Sequence, residues 1–273
     1  MSNFFYLFLI FCLINMLGGN LMRNILIHFA IKYNGDYIKI LSAIKDKEIV
    51  TNEDIEKIKK ANICALTCLD DNYPSFLREI YAPPFVLFYK GDISLLNSDM
   101  ISVIGSREPT SYGKEVTEKV LNELFEERDV TIVSGLAKGI DAIAHEVALN
   151  NNQKTIAILG SGIDICYPKE NFILYKKIEE RGLLLSEYPI GCSPDKKHFP
   201  LRNRIIAALG KAILVTDATC PSGTQNTVRN GLEMNKDIMV IPHSILEKSY
   251  CNYLLRQGAI PVLCGKDIVD EIF

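Results

Sequence analysis

The chain has 273 residues, of which 48% are hydrophobic and 23% are charged. This balance predicts one large folded domain, or a large and a small one, and it excludes an intrinsically disordered chain. The formal net charge of -3 gives no support to wholesale coating by nucleic acid, so we expect any anion-binding site to be local. Eight cysteines stand at scattered spacings with no CxxC pair, and several lie in apolar strands, so we expect buried, reduced thiols and neither a zinc site nor a disulfide framework.

The first apolar segment, FFYLFLIFCLINML at residues 4–17, resembles the hydrophobic core of a signal peptide. No Lys or Arg precedes it, no small-residue cleavage pattern follows it, and fourteen residues are too few to span a bilayer. It leads through the pair Gly18–Gly19 into Leu21, Ile25 and Phe29, which recur at four-residue intervals. We therefore expect two helices joined by a glycine turn and packed through their apolar faces.

A further helix is predicted in the segment TNEDIEKIKKANI. Thr51 is its expected N-cap, and Asp54 three residues later completes a capping box with Asp in place of the usual Glu. These helices predict a small all-α domain over residues 1–66. The segment LDDNYPSFLREIYAPPF, at residues 69–85, is its expected connection to the rest of the chain.

The larger domain, over residues 67–273, is predicted from strands that end in glycine turns. Three apolar stretches run into such turns: ISVIGSR (101–107), VTIVSGLAKGID (130–141) and TIAILGSGID (155–164). Helical spacing follows the first two turns, and four more apolar runs alternate with helix-like segments: GLLLSE (182–187), AILVTD (212–217), DIMVIP (237–242) and AIPVLC (259–264). Buried strands with crossover helices predict an α/β fold with a Rossmann-like, doubly wound, mostly parallel sheet. Ligands bind such a sheet beyond the carboxyl ends of its strands, where the glycine turns converge.

The segment KKHFPLRNR carries four fixed positive charges and no carboxylate. Arg202 and Arg204 flank Asn203 and precede the apolar run IIAAL, which places them where a loop enters a helix. Forked guanidinium groups at a helix start favour phosphate binding. The alternative is a solvated basic turn.

A dinucleotide site is disfavoured. The segment GSGIDI, which begins at Gly160, matches the first two glycines of the dinucleotide-binding fingerprint GxGxxG. Ile165 stands at the position of the third glycine.

Four titratable residues stand in positions that suit acid–base catalysis. Asp141 and His145 are four apart on one helix face, which also suits a pair of metal ligands, and Glu187 and Asp217 follow strands. Structural hydrogen bonds are the alternative, and they are the more common role because no nucleophile, HExxH motif or P-loop accompanies these residues.

Many motifs, in order along the chain, together resemble one family. They are DDNYP, APPFVLFYKG, VIGSREPTSYG, IVSGLAKGIDAIAH, TIAILGSGIDICYPKEN, LLSEYP, FPLRNRIIAAL and SGTQNT. The chain resembles the DNA-processing protein A family (DprA, also called Smf) from about Leu69 onward, and its N-terminal helices resemble the family's smaller domain, which is similar to a sterile alpha motif (SAM) domain. The resemblance implies a non-enzymatic, cytoplasmic protein that binds and protects incoming single-stranded DNA and loads the RecA recombinase during natural transformation. It also implies a homodimer without a cofactor, a metal or a membrane partner.

The resemblance also implies a set of DNA-binding residues. They are Gly105, Ser106 and Arg107 of the first glycine turn, Ser134, Gly135 and Lys138 of the second, and Lys196 and Phe199 of the basic segment, which join the phosphate contacts already expected at Arg202, Asn203 and Arg204. Ser222, Gly223 and Thr224 begin a further helix, which they cap or through which they contact phosphate. Glycine lets the backbone approach a phosphate, and an arginine supplies a fork beside it. Phe199 suits stacking on a base, which is tolerant of sequence. Its alternative role is a hydrophobic plug beneath the loop.

An enzyme is the alternative function. Proteins with related Rossmann-like folds hydrolyse nucleotide phosphoribosides, and their motif is PGGxGTxxE. The corresponding segment here is CPSGTQNTVRNGLE, which has no glutamate three residues after its first threonine.

Overall fold

The structure is a computed structural model that describes residues 19–219 and 223–273. The predicted first helix over residues 4–17 and the predicted DNA contact Ser222 lie outside the described residues. The chain divides into two compact units. Unit 1 comprises Met1–Tyr89, Ser161–Ile165 and Ser186–Ser193, and unit 2 comprises Lys90–Gly160, Cys166–Leu185 and Pro194–Phe273.

Unit 1 contains three described helices and a strand pair. Their bounds are α1 (Gly19–Lys32), α2 (Tyr37–Lys45), α3 (Asn52–Lys60), β1 (Ala65–Thr67) and β2 (Val86–Gly91), and the two strands pair in antiparallel orientation. The predicted capping box is confirmed, because the backbone amide of Asp54 donates to the Thr51 hydroxyl at 3.2 Å and the Thr51 amide donates to the Asp54 carboxylate at 3.2 Å. Arg23 of α1 donates to the carbonyl oxygen of Ala65 at 2.6 Å. This bond ties the helices to the strand pair, and the compact unit runs on to Tyr89, beyond residue 66.

Unit 2 is built on a parallel sheet, as the strand pattern predicts. Its strands are β3 (Met100–Ile104), β4 (Thr131–Ser134), β5 (Thr155–Leu159), β6 (Leu183–Ser186), β7 (Ala212–Val215), β8 (Asp237–Val240) and β9 (Ile260–Pro261). They lie in the order β6-β5-β4-β3-β7-β8-β9. Neighbouring strands from β5 through β9 pair in parallel orientation. Every strand expected in this part of the chain is confirmed.

Helices cover both faces of this sheet. Their bounds are α4 (Ser111–Glu127), α5 (Ile140–Asn150), α6 (Phe172–Arg181), α7 (His198–Leu209), α8 (Thr224–Glu233), α9 (Tyr250–Arg256) and α10 (Gly265–Ile272). Side chains alternate along β3, so Ile101 and Val103 face a core that includes Leu121 of α4 and Ala144 of α5. On the other face, the Ser102 hydroxyl donates to a carbonyl oxygen of α7 at 2.5 Å. The Rossmann-like, doubly wound fold is confirmed.

The sheet order changes direction at β3. The chain runs from β3 to β4 on one side and returns with β7 on the other. At such a switch point the two loops leave the sheet in opposite directions and open a crevice at the carboxyl ends of the strands. The glycine turn after β3 and the residues after β7 therefore flank the expected ligand site.

The six cysteines among the described residues are free thiols, as expected. Cys68 and Cys251 are buried, and burial raises the pKa of the Cys68 thiol to about 12. Cys64 is exposed, so the expectation of buried thiols is wrong there. Over the part of the chain that the structure describes, no helix combines the length and the apolar character needed to cross a membrane.

Candidate nucleic-acid interface

The turn after β3 is locked to the end of β7. A Cβ atom at Gly105 would lie 2.5 Å from a side-chain carbon of Ile140 and 2.7 Å from the carbonyl oxygen of Asp217, so this approach requires glycine. The Ser106 amide donates to that same carbonyl oxygen at 2.6 Å. The next residue, Arg107, is exposed, and no carboxylate of residues 19–219 or 223–273 forms an ion pair with it. The turn therefore holds a guanidinium group in solvent at the carboxyl end of the sheet.

The carboxylate of Asp217 has a structural role. It is buried and accepts hydrogen bonds from the backbone amide of Thr110 at 2.7 Å and from the Thr110 hydroxyl at 2.9 Å. The same hydroxyl accepts from the Gly113 amide at 2.9 Å and so caps α4. Asp217 thus joins the start of α4 to the end of β7, and these contacts favour the structural alternative over acid–base work.

Asp141 and His145 are buried on α5 and have separate partners. Asp141 accepts from the Gly135 amide at 3.1 Å and from the Ala137 amide at 3.4 Å, which fixes the second glycine turn. The Nδ1 atom of His145 lies 2.6 Å from the Thr155 hydroxyl oxygen. Burial raises the pKa of Asp141, against the opposing effect of a nearby arginine, and burial lowers the pKa of His145 to about 3. The structural alternative fits these contacts.

Arg202 lies beneath the second glycine turn. Its side chain donates to the carbonyl oxygen of Gly135 at 2.6 Å, to that of Ile158, and to the side-chain oxygen of Asn203 at 3.1 Å. Only 4% of Arg202 is exposed, and a Cβ atom at Gly135 would overlap its guanidinium group. The arginine therefore connects the ends of β4 and β5 and compensates the charge of Asp141 nearby.

The predicted position of Arg202 and Arg204 at a helix start is wrong. Helix α7 begins at His198, so both arginines lie in the body of the helix. Arg204 is also only 4% exposed and donates to the Leu201 carbonyl oxygen at 3.0 Å. The local charge pattern indicated an exposed cluster because the groups that bury Arg202, the carbonyl oxygens of Gly135 and Ile158, are distant in the sequence.

Ser134 is buried as well. Its hydroxyl is fully shielded and donates to the carbonyl oxygen of Val103 at 2.7 Å, across neighbouring strands. This bond links β3 to β4. In the turn that follows, the Gly135 amide already donates to Asp141.

Phe199 projects from the first turn of α7 and is half-buried. A Cβ atom at Gly160 would lie 2.7 Å from its ring, so glycine there makes room for the phenyl group. The ring centre lies 5.4 Å from the centre of the Tyr167 ring and 6.0 Å from the guanidinium carbon of Arg107. A cation and two aromatic rings are therefore adjacent, although they come from three separate segments of the chain.

Two predicted lysines are exposed in different electrostatic surroundings. Lys138 forms an ion pair with Glu170 at 2.6 Å, and the hydrogen bond to Glu170 raises the pKa of the lysine. Lys196 is exposed, and the described part of the chain gives it no ion-pair partner. The positive charge of Lys196 is therefore less compensated than that of Lys138.

One groove of about 600 Å³ gathers part of the predicted set. The predicted residues that line it are Gly105, Ser106, Arg107, Phe199, Arg202, Asn203 and Gly223, while Ser134, Gly135, Lys138, Lys196 and Arg204 do not. Sequence reasoning missed several lining residues, among them Glu108, Thr219 and Thr227, but it did name Thr224 together with Gly223. Thr224 donates to the Gly105 carbonyl oxygen at 3.2 Å, and its place at the start of α8 after Gly223 was the available signal.

Comparison with known proteins gives a consistent result. Residues 64–273 match the family described as DNA recombination-mediator protein A. The DNA processing protein DprA of Streptococcus pneumoniae is 44% identical over 209 residues, which cover 76% of this chain and 73% of that protein. Protein Smf of Synechocystis is 41% identical over 224 residues, which cover 80% of this chain and 56% of that protein.

Two solved structures are similar to most of the chain. The X-ray structure of DprA from Streptococcus pneumoniae has a TM-score of 0.77 and 37% identity, covering 92% of this chain and 93% of that chain. The structure of DNA processing protein A from Helicobacter pylori, which concerns its single-stranded DNA binding mode, has a TM-score of 0.69 and 31% identity. This match covers 77% of this chain and 96% of that chain. With the fold, the ordered motifs and these matches in agreement, the chain belongs to the DNA recombination-mediator protein A family, whose relatives are named DprA and Smf.

Proposed function

We propose that this protein binds single-stranded DNA, without sequence preference, along the groove of unit 2. The observation that carries the proposal is the pairing of the exposed Arg107 with the half-exposed Phe199 ring at 6.0 Å. A guanidinium fork binds a phosphate, and an aromatic ring stacks on any base. The Helicobacter pylori relative, whose single-stranded DNA binding mode has been described, supports the same activity here.

The proposed DNA-binding residues fall into an exposed or half-exposed group and a buried group. Gly105, Ser106 and Arg107 bind one phosphate, and Phe199 stacks on the adjoining base. Lys138, Lys196, Asn203 and Gly223 lie in exposed or half-exposed positions from which they contact the rest of the strand. Ser134, Gly135, Arg202 and Arg204 are buried and support the turns. Their contribution to binding is therefore indirect, through the shape of the groove.

The wider role follows from the family. We propose that the protein protects incoming single strands and loads the RecA recombinase on them during natural transformation. The family's description as a recombination mediator supports this step. We also propose that it acts in the cytoplasm as a homodimer, and that it does so without catalysis.

Fluorescence anisotropy with labelled oligonucleotides tests the proposal. Affinity for mixed single strands should fall steeply as salt rises, vary little between sequences, and exceed the affinity for duplexes of equal length. Duplex binding that is tighter than single-strand binding and survives high salt would refute it. Release of free base from nucleoside monophosphates would favour a phosphoribohydrolase-like enzyme instead.

A further inference from the structure

We infer that Tyr167 and Phe199 form a two-ring platform that stacks on two successive bases of the strand. Tyr167 stands between the third glycine turn and α6, and nothing in the proposed contact set includes it. The inference rests on the proposed function and adds to it a second base-binding position.

The first support is the exposure of the tyrosine ring. Tyr167 is 48% exposed, and its hydroxyl has no hydrogen-bond partner within residues 19–219 and 223–273. Tyr112, which is 43% exposed, differs because its hydroxyl donates to the Pro242 carbonyl oxygen at 2.8 Å. This bond gives Tyr112 a structural role. A half-exposed tyrosine whose hydroxyl makes no such bond is available to a ligand.

The second support is the geometry of the pair. The ring centres are 5.4 Å apart and the ring planes are inclined by 33°. One flat base cannot lie parallel to both planes at this inclination, so each ring must take a separate base. Successive bases of a single strand can adopt such an inclination because, unlike bases in a duplex, they are not held in register by pairing.

The third support is the cation beside the pair. The guanidinium carbon of Arg107 lies 6.0 Å from the centre of the Phe199 ring, and Arg107 is exposed. A strand whose bases stack on the two rings therefore has an exposed cation beside it for a phosphate contact. Combined stacking and phosphate contacts are the usual means of holding a single strand.

The matched variants Tyr167→Leu and Tyr167→Phe test the platform. Loss of one base–aromatic stack weakens affinity by about 5- to 150-fold, so Tyr167→Leu should bind a short oligonucleotide at least about fivefold more weakly. Tyr167→Phe keeps the ring and should bind within about twofold of the natural protein, since the hydroxyl makes no bond. Tyr81→Leu, at an exposed tyrosine of unit 1, is the control and should leave affinity unchanged. Equal affinity of the Leu variant and the natural protein would overturn the inference.

An abasic scan of the oligonucleotide needs no variant and covers the case in which Tyr167→Leu does not fold. Removing one base at a time should reveal two adjacent sensitive positions on the natural protein, and one on a folded Tyr167→Leu. A single sensitive position on the natural protein would overturn the platform while leaving the proposed function intact. Failure of the natural protein to bind any single strand would instead overturn the proposed function, and the platform with it.

Discussion

The guanidinium carbon of Arg107 lies 6.0 Å from the centre of the Phe199 ring. Arg107 is placed by the turn after β3, whereas Phe199 is placed by the first turn of α7. A cation–π contact at an exposed site stabilises by only about 0.5–1 kcal/mol, which is less than a charge-assisted bond to phosphate. The arginine is therefore free to turn toward a phosphate while the ring remains for a base.

Substitution Arg107→Ala should weaken single-strand binding by about 1.5–3 kcal/mol, because it removes a charge-assisted phosphate contact. Arg107→Lys should recover part of this loss, since it keeps the charge and loses the fork. Anisotropy titrations at fixed salt measure the effect. Arg256→Ala, at an exposed arginine of α9, is the control. Unchanged affinity in a folded Arg107→Ala protein would move the phosphate site elsewhere.

Substitution Arg202→Leu should mainly lower stability. It leaves the buried Asp141 uncompensated and removes the donor to the carbonyl oxygens of Gly135 and Ile158. Breaking such a buried charge arrangement costs about 3–5 kcal/mol of unfolding free energy, which urea denaturation measures. Lys197→Leu, at an exposed neighbour, is the matched control and should change stability little. Equal midpoints for the two variants would mean that Arg202 is not a structural residue.

The ion pair between Lys138 and Glu170 should moderate DNA binding. Glu170→Gln removes the negative partner, so affinity should rise and the salt dependence should steepen, by about 0.7 in the logarithmic slope if Lys138 then gains one phosphate contact. Lys138→Ala should not steepen the slope. Glu53→Gln, which breaks an exposed pair with Lys57 in unit 1, serves as the control. A slope that does not change in Glu170→Gln would show that Lys138 lies off the path of the strand.

The stability of unit 2 should fall in alkali through His243. Burial acts to lower the pKa of this imidazole, but its hydrogen bonds to Cys251 and to the Thr216 carbonyl oxygen outweigh burial and raise it to about 9. The charged form is therefore favoured in the folded state. Its contribution, on the order of 1–3 kcal/mol, is complete below the unfolded pKa of about 6.5 and is lost as the pH rises through about 9.

Denaturation curves at pH 6, 8 and 10 would test the role of His243. The natural protein should lose more unfolding free energy over this pH range than the His243→Gln variant, because glutamine at position 243 does not titrate. Parallel losses in the two proteins would exclude His243 as the source of the pH dependence.

A homodimer would present two grooves to one strand. Linked sites raise the effective concentration, so affinity should keep rising with oligonucleotide length beyond a single footprint. Analytical ultracentrifugation gives the mass in solution, and anisotropy with oligonucleotides of graded length gives the affinity. A monomer whose affinity levels off at one footprint would contradict the proposed assembly.

Neighbouring residues were enough to predict much of the fold. The capping box of Thr51 and Asp54 is satisfied within one turn, so its pattern is legible in the sequence. The apolar runs before Gly105 and Gly135 formed strands because buried parallel strands need continuous apolar side chains. Gly105 could be recognised as a turn residue because it directly follows one of these apolar runs. The family could also be recognised, since its motifs are contiguous.

Exposure, in contrast, was decided by tertiary structure. Arg202 carries the same charge as Arg107, yet carbonyl oxygens of Gly135 and Ile158, which are distant in sequence, surround it and remove it from solvent. The sequence alone determined which residues could bind a phosphate or a base. Only the tertiary structure decided that Arg107 is exposed while Arg202 is buried, and that the Tyr167 ring lies beside Phe199. The physical reason is that a side chain's solvent contact depends on all the groups around it, and most of those come from other segments of the chain.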